Sequence, residues 1–277
     1  MPELPEVETV ARGLKDLISG DKIKSVVVLR KESIAYPSPG QFCKSLSRHQ
    51  IVDTGRRGKY VIIELSNGAF LVVHLRMSGR LVVKVKDKTP DRFLRVRIML
   101  ESGRELHFED MRVFGRLWYV SKSEKLEDIV SGIKNLGVEP LDSLNGAYLL
   151  KRFEKKKQPI KNALLDQRII AGIGNIYADE SLFLSGIHPL RSASSLSPEE
   201  VSRLVKTVKK VLKKAIVNGG SSLRDYKDAK GVNGNYQNVA WVYGRKGKSC
   251  RSCKKSAIEQ VRLAGRSTCF CPVCQKR

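Results

Sequence analysis

Apolar residues near the start of the chain recur at spacings of three and four. Leu4, Val7, Val10, Ala11, Leu14 and Ile18 fall on one face, which predicts an amphipathic helix over 4–18. Pro5 suits its first turn, and Glu6 and Glu8 suit the positive end of its dipole. From about 22 to 121 the period shortens. Seven β-branched runs follow: KIKSVVVL, KYVIIEL, FLVVHLRM, RLVVKV, RFLRVRIML, RELHFE and GRLWYV. The separators Ser66-Asn67-Gly68, Ser78-Gly79, Glu101-Ser102-Gly103 and Asp110–Arg112 suit hairpin connections. Many short strands at this spacing predict a β-sandwich or barrel, with the helix attached to its start.

Residues 122–158 read as a polar connection that ends in the basic Lys151-Arg152 and Lys155–Lys157. Helices then dominate. Ser197-Pro198-Glu199-Glu200 is a capping box with proline in the first turn. Val201, Leu204, Val205, Val208, Val211, Leu212, Ala215 and Ile216 form the buried stripe of the helix behind it, and Asn218-Gly219-Gly220 stops it. Residues 219–238, rich in Gly, Ser, Asn and Asp, read as a long mobile loop of the kind that is functional or disordered.

Length and composition narrow the class. A chain of 277 residues suggests about two domains, and 41% hydrophobic residues suffice for a core. No apolar run approaches the roughly 18 residues of a membrane span, and the opening MPELPEVETV lacks the basic region of a secretory signal. Fifty-two Lys and Arg against 28 Asp and Glu leave a net charge of +24. That excess favours a polyanion over a merely soluble basic surface, with nucleic acid ahead of anionic membrane.

Five of the six cysteines crowd the C-terminal end. Cys250-x-x-Cys253 and Cys271-x-x-Cys274 have the spacing of two knuckles around one tetrahedral zinc ion. Four thiolates leave no open coordination position, so the expected zinc is structural. Cys269 and Cys43 are read as spare thiols, with Cys269 a competitor for the metal as the alternative. The surrounding segment 240–277 holds ten Lys and Arg and one acid, Glu259, which suits phosphate contact.

Gly172-Ile173-Gly174-Asn175 resembles part of a dinucleotide fingerprint, but Tyr177 occupies the third glycine position and no βαβ context surrounds it. It reads instead as an anion site at a helix start or an ordinary tight turn. At the N-terminus, removal of Met1 is expected before the small Pro2. It leaves a secondary amine beside Glu3, with a reference pKa of roughly 8, able to attack an aldehyde-like carbon and form an iminium.

Taken together, PELPEVETV, Arg57-Gly58-Lys59-Tyr60, His74-Leu75-Arg76-Met77-Ser78-Gly79, Asp110-Met111-Arg112-Val113-Phe114-Gly115, GIGNIYADE, Val242-Tyr243-Gly244-Arg245 and the GRSTCFCPVCQ finger resemble the formamidopyrimidine-DNA glycosylases, nearly end to end. The resemblance implies an α+β multidomain fold: an N-terminal helix plus β-sandwich (1–130), a helix-two-turn-helix domain with the mobile loop (131–238), and a four-cysteine zinc finger (239–277). It implies base-excision repair of oxidised purines by a bifunctional glycosylase and abasic-site lyase, on damaged double-stranded DNA across a basic cleft, with the lesion turned out of the stack.

By the same resemblance Pro2 is the nucleophile, Glu3 the acid/base partner and Lys59 a phosphate contact that supports catalysis. His74, Lys161, Asn175 and Arg266 are DNA contacts. Met77, Arg112 and Phe114 fill the space left by the everted nucleotide. Ser221, Ser222 and Tyr236 belong to the loop over the lesion, and Ser78 stands where some relatives carry an acid. One zinc ion, no nucleotide cofactor, no membrane, a monomer and a bacterial cytoplasmic location are expected. The rival readings are an endonuclease VIII-like enzyme for oxidised pyrimidines and a non-catalytic zinc-ribbon DNA-binding protein.

Overall fold

The computed structural model describes residues 1–85, 91–222 and 226–277. The centre of the 219–238 loop, residues 223–225, lies outside the described residues. The chain divides into two compact units, Met1–Lys134 with Gly219–Gly234, and Asn135–Asn218 with Asn235–Arg277. The division departs from the three segments 1–130, 131–238 and 239–277 in two ways. Residues 219–234 fold with the N-terminal unit, and the cysteine-rich finger folds with the helical one.

The first unit opens with α1 (Leu4–Ile18), whose six expected apolar positions are all buried. The strands β1 (Ile23–Val28), β2 (Ile34–Tyr36), β3 (Ile51–Arg57), β4 (Tyr60–Leu65), β5 (Phe70–His74), β6 (Gly79–Val85), β7 (Leu94–Leu100), β8 (Arg104–Asp110) and β9 (Arg116–Val120) follow, with α2 (Pro39–Leu46) between β2 and β3. They form one sheet in the order β1-β7-β8-β6 and another in the order β2-β9-β5-β4-β3. Alternate residues of both sheets, among them Ile63, Val73, Leu81, Ile98, Leu106 and Phe108, share one core with α1 and α2. This is the expected sandwich. Two of the four expected hairpins are real, at 66–68 and 101–103, where β4 pairs with β5 and β7 with β8. The other two, at Ser78-Gly79 and Asp110–Arg112, are corners where the chain crosses from one sheet to the other. Short helices α3 (Leu126–Ile129) and α4 (Ser131–Lys134) close the unit.

The second unit contains α5 (Gly146–Phe153), α6 (Ile160–Leu165), α7 (Asn175–Ser185), α8 (Pro198–Val217) and α9 (Tyr236–Val239), then the hairpin β10 (Glu259–Leu263) and β11 (Arg266–Phe270). The Ser197–Glu200 capping box starts α8 as expected. Val201, Leu204, Val208, Val211, Leu212 and Ala215 are buried, while Val205 and Ile216 are only half-buried at the edge of the stripe. Among the described residues no helix is long and apolar enough to cross a membrane.

Candidate functional site

In the first unit, side-chain pairs fix the direction of α1. Glu8 pairs with Arg56 at 2.6 Å, the Thr54 hydroxyl donates to Ala11 O at 2.5 Å, and Lys15 reaches Asp53 at 3.0 Å. Residues early in α1 thus lie beside residues late in β3. The helix start, with Pro2 and Glu3, comes to the end of the sandwich where β3 turns through Gly58-Lys59 into β4. Tyr60 pairs with His74 and His74 with Arg116, so both inter-sheet corners emerge at this end too. The sandwich therefore gathers Pro2, Glu3, Lys59, His74, Met77, Arg112 and Phe114, which are far apart in sequence, at one end.

Glu3 is the N-cap of α1 and is 3% exposed. A reciprocal capping box joins it to Glu6, whose Oε2 accepts the Glu3 N–H at 2.8 Å. The other Glu6 oxygen accepts the Ser221 N–H at 2.7 Å, and the Tyr226 hydroxyl donates to Glu6 O at 3.3 Å. Burial beside Glu6 pushes the Tyr226 phenol pKa up, so it remains a donor. The left-handed Gly220 packs so close that a Cβ there would lie 2.7 Å from Glu6 Oε1. The loop expected to be mobile is thus fastened to the N-terminal helix at Ser221. Ser222 is held on its hydroxyl, which donates to Tyr226 O and accepts from Gly234 N, both at 2.8 Å. Sequence reasoning missed Glu6 in this role, having read it only as a dipole partner.

Met77, Arg112 and Phe114 are exposed, and the Arg112 guanidinium stands 4.6 Å above the Phe114 ring. Met111, also exposed, enlarges the apolar tip and was not anticipated. The buried Asp110 holds the tip together. Its carboxylate accepts the Ser78 hydroxyl at 2.5 Å, the Arg112 N–H at 3.1 Å and the Gly115 N–H at 2.7 Å. A Cβ at Gly115 would lie 2.5 Å from Phe108 Cζ, so only glycine lets this corner close on the core. Val113, with φ of 58°, holds a left-handed conformation that a β-branched residue rarely adopts.

His74, expected from the resemblance as a DNA contact, is buried. Its Nδ1 accepts the Arg76 N–H at 3.0 Å, and the Tyr60 ring packs edge-on at 4.5 Å. Burial first, then the positive charges of Arg76 and Lys59, hold its pKa down at about 3. The imidazole is therefore neutral and shapes the Met77 corner, while Arg76 carries that corner's exposed charge.

In the second unit Gly174 is the N-cap of α7 and Asn175 opens its first turn. The Asn175 amide donates to Ser267 O at 2.9 Å and Ser267 Oγ at 3.2 Å. Ser267 follows Arg266, which is exposed at the left-handed Ala264-Gly265 turn of the β10–β11 hairpin. Asn175 and Arg266 thus share a surface. Lys161 does not join them: it is 0% exposed, and its ammonium meets Asp179 at 2.7 Å, Ser267 O at 2.7 Å and Thr268 Oγ1 at 3.0 Å. Held by these groups, its ammonium is buried rather than presented at the surface. It seats the hairpin that presents Arg266. Tyr236 is likewise no loop residue. It is buried, donates to Glu180 Oε2 at 3.1 Å and stacks edge-on with Tyr177 at 5.3 Å.

The sulfurs of Cys250, Cys253, Cys271 and Cys274 all lie within 4.8 Å of one another. Cys250–Cys274 is 3.8 Å and Cys253–Cys271 is 3.7 Å. A tetrahedron with metal–sulfur bonds of about 2.3 Å has an edge near 3.8 Å, so the residues fit a four-thiolate metal site. The separations are far too long for disulfides. Cys269 stands apart: its Sγ faces Gln260 Oε1 at 3.7 Å and burial pushes its thiol up to about 11. Two adjacent acids that sequence reasoning passed over bind the finger to α7. Glu180 accepts the N–H groups of Trp241, Val242 and Tyr243 at 2.8, 2.8 and 2.9 Å, and Asp179 accepts the Cys269 N–H at 2.9 Å.

Comparison with known proteins agrees with both units. Residues 1–117 match the formamidopyrimidine-DNA glycosylase N-terminal domain, and 136–227 match the formamidopyrimidine-DNA glycosylase H2TH domain. The formamidopyrimidine-DNA glycosylase of Gloeobacter violaceus is 49% identical, covering 100% of this chain and 98% of the relative. That of Pelotomaculum thermopropionicum is 45% identical over 100% and 99%. Among solved structures, Lactococcus lactis Fpg in complex with abasic-site DNA superposes with a TM-score of 0.91 at 34% identity, covering 99% of this chain and 100% of that one. MutM in complex with DNA containing carbocyclic 8-oxo-G gives 0.91 at 35% identity over 100% of both chains. With two matching domains in order and relatives of this identity along the whole length, the chain belongs to the formamidopyrimidine-DNA glycosylase family.

Proposed function

We propose that the protein excises 8-oxoguanine and formamidopyrimidines from duplex DNA through a Schiff base on Pro2 and then cuts the strand by β,δ-elimination. The observation that carries this reading is the position of Pro2-Glu3 at the start of α1, at the end of the sandwich that also bears the Lys59 turn and the Met77 and Phe114 corners. Met1 is 52% exposed, so its removal costs no core packing, and it frees the Pro2 nitrogen from its amide. The amine attacks C1′ of the damaged nucleotide as the glycosidic bond breaks and the base departs with a proton. The C1′–O4′ bond then opens, O4′ takes a proton with help from Glu3, and an iminium forms at C1′. Glu3, on the neighbouring residue, is within reach of the same sugar for proton transfer. Loss of the C2′ proton expels the 3′ phosphate, and a second elimination releases the 5′ phosphate. Lys59 places a cation at this end for the phosphates beside the lesion.

Met77 and Phe114 enter the stack left by the everted base while Arg112 meets the orphaned partner. Asn175 and Arg266 hold the phosphate backbone from the second unit, and the metal in the four-thiolate site is one structural zinc ion. Ser221 and Ser222 belong to the segment over the lesion. Borohydride reduces an iminium to a stable amine, so trapping followed by peptide mapping tests the reading directly. The expected adduct is on Pro2 lacking Met1, with an oxidised-purine duplex trapped in preference to an oxidised-pyrimidine one. An adduct on a lysine overturns the nucleophile, and preference for the pyrimidine overturns the substrate.

A further inference from the structure

Helix α8 carries a feature that lesion chemistry does not use. Its buried stripe packs against α7 and α5, and its outward face presents Lys206, Lys210, Lys213 and Lys214 exposed with Lys209 half-exposed beside them. Beyond Glu200 the helix contains no acid. None of the five lysines has an ion-pair partner among the described residues. Lys206 has Lys209 and Lys210 one turn on, and these have Lys213 and Lys214 one turn further. Spacings of three and four put like charges side by side, which weakens a helix. A face kept only for solubility mixes the two signs, as exposed helices commonly do. A one-sign stripe that opposes its own helix indicates a partner that neutralises it.

We propose that the lysine face of α8 is a second, sequence-neutral DNA surface that takes the phosphate backbone of another duplex segment while the lesion-bearing segment is held elsewhere. The five lysines span about 12 Å at 1.5 Å per residue, and a duplex presents one charge per roughly 1.7 Å of its axis, so several phosphates face the stripe at once. The chemistry of the face selects this partner. Lysine is a compact point charge suited to phosphates met in any register. Helix α8 contains no aromatic residue to offer the anchor on which a protein interface centres. The apolar side of α8 is in the core apart from the exposed Val217 at its end, and one valine is too little to anchor the helix in a lipid surface. The stripe lies opposite the buried side of α8, the side on which α7 and α5 pack. A repair enzyme works on a long polymer, and DNA already bound keeps its own neighbouring segments at high local concentration. The proposal takes the identity of the polymer from the proposed repair function and nothing else from it.

The test uses the full-length protein saturated with a short duplex bearing a non-cleavable abasic analogue, titrated with a labelled undamaged duplex of about 20 bp, long enough to cover the stripe. The wild-type protein is expected to form the ternary complex with a steep salt dependence. Lys206→Glu, Lys210→Glu and Lys213→Glu combined are expected to weaken it at least tenfold and to flatten the salt slope by about two to three, one unit per lost phosphate contact. Binding of the lesion duplex should stay within twofold. The milder triple Lys→Gln variant and a matched Lys24, Lys31 and Lys44→Glu variant separate the local effect from misfolding and from net charge. Absence of a ternary complex in the wild type, equal loss in the matched variant, or capture by anionic vesicles in place of the second duplex overturns the proposal. Failure of the lesion duplex to bind counts against the repair function instead, because the undamaged duplex still reports on the stripe.

Discussion

The Asp110 carboxylate accepts the Ser78 hydroxyl at 2.5 Å, which ties the end of one strand to the corner that leads into its neighbour in the sheet. The same carboxylate receives two N–H groups from the loop that carries Arg112 and Phe114. The exposed apolar tip is therefore set by a buried anion. Asp110→Ala should cost about 1–3 kcal/mol of stability, the range for orphaning buried donors. Its affinity for a lesion duplex should fall at least tenfold. Cleavage of a single-stranded abasic oligonucleotide, which needs no wedge, should fall much less. Equal losses on both substrates would show that Asp110 supports the whole sandwich and not the tip.

Pro2→Gly is expected to abolish borohydride trapping and reduce strand cleavage by several orders of magnitude while binding to a lesion duplex survives within a few-fold. A gel-shift titration beside a cleavage time course separates the two. Binding that falls in step with cleavage would withdraw the catalytic assignment.

His74 predicts an acid limit. The unfolded chain takes up the His74 proton near pH 6.5, and the folded protein resists it until about 3. Its contribution to stability is whole above about pH 6.5 and is lost progressively as pH falls toward 3, amounting in full to a few kcal/mol. His74→Gln should flatten the stability profile across that window. Denaturant midpoints at several pH values would show it, and an unchanged slope would remove His74 from the account.

Much of this was legible because local patterns and burial agreed. The spacing over 4–18 marks α1 because each apolar position is buried, and Ser197-x-x-Glu200 marks the start of α8 because both ends of the capping box are filled. The four-cysteine site was legible for the same reason: its spacing is its geometry. The corners were not, since Ser78-Gly79 and Asp110–Arg112 carry ordinary turn residues and only the sheet order distinguishes a crossing from a hairpin. Nor could Lys161 be separated in sequence from a surface phosphate contact. Its placement depends on Asp179, 18 residues on, and on Thr268 at the far end of the chain.

Lys161→Ala should destabilise the second unit by about 3–5 kcal/mol, because it strands the Asp179 carboxylate in the interior. The double variant Lys161→Met with Asp179→Leu should recover most of that loss. DNA affinity should follow stability in both, since the lysine acts by seating Arg266. A single variant that folds with full stability but loses phosphate contact would restore Lys161 to the DNA surface.

Cys250→Ser should release the metal and disorder the β10–β11 hairpin, and metal analysis with DNA titration reads both. Cys269 lies outside the cluster and is bonded to Gln260, so it should not substitute. Full metal content in the variant would show that it does.

The adjacent acids of α7 have a consequence for how such a chain can be cut or recombined. Asp179 and Glu180 take hydrogen bonds from beyond residue 235, from Tyr236, residues 241–243 and Cys269, and Asp179 also pairs with Lys161. A truncation before the finger leaves two carboxylates in an apolar interior with most of their donors gone. The finger is therefore not a cassette. A chimera that borrows it from a relative keeps its solubility only if α7 travels with it, and the two segments should change together or not at all.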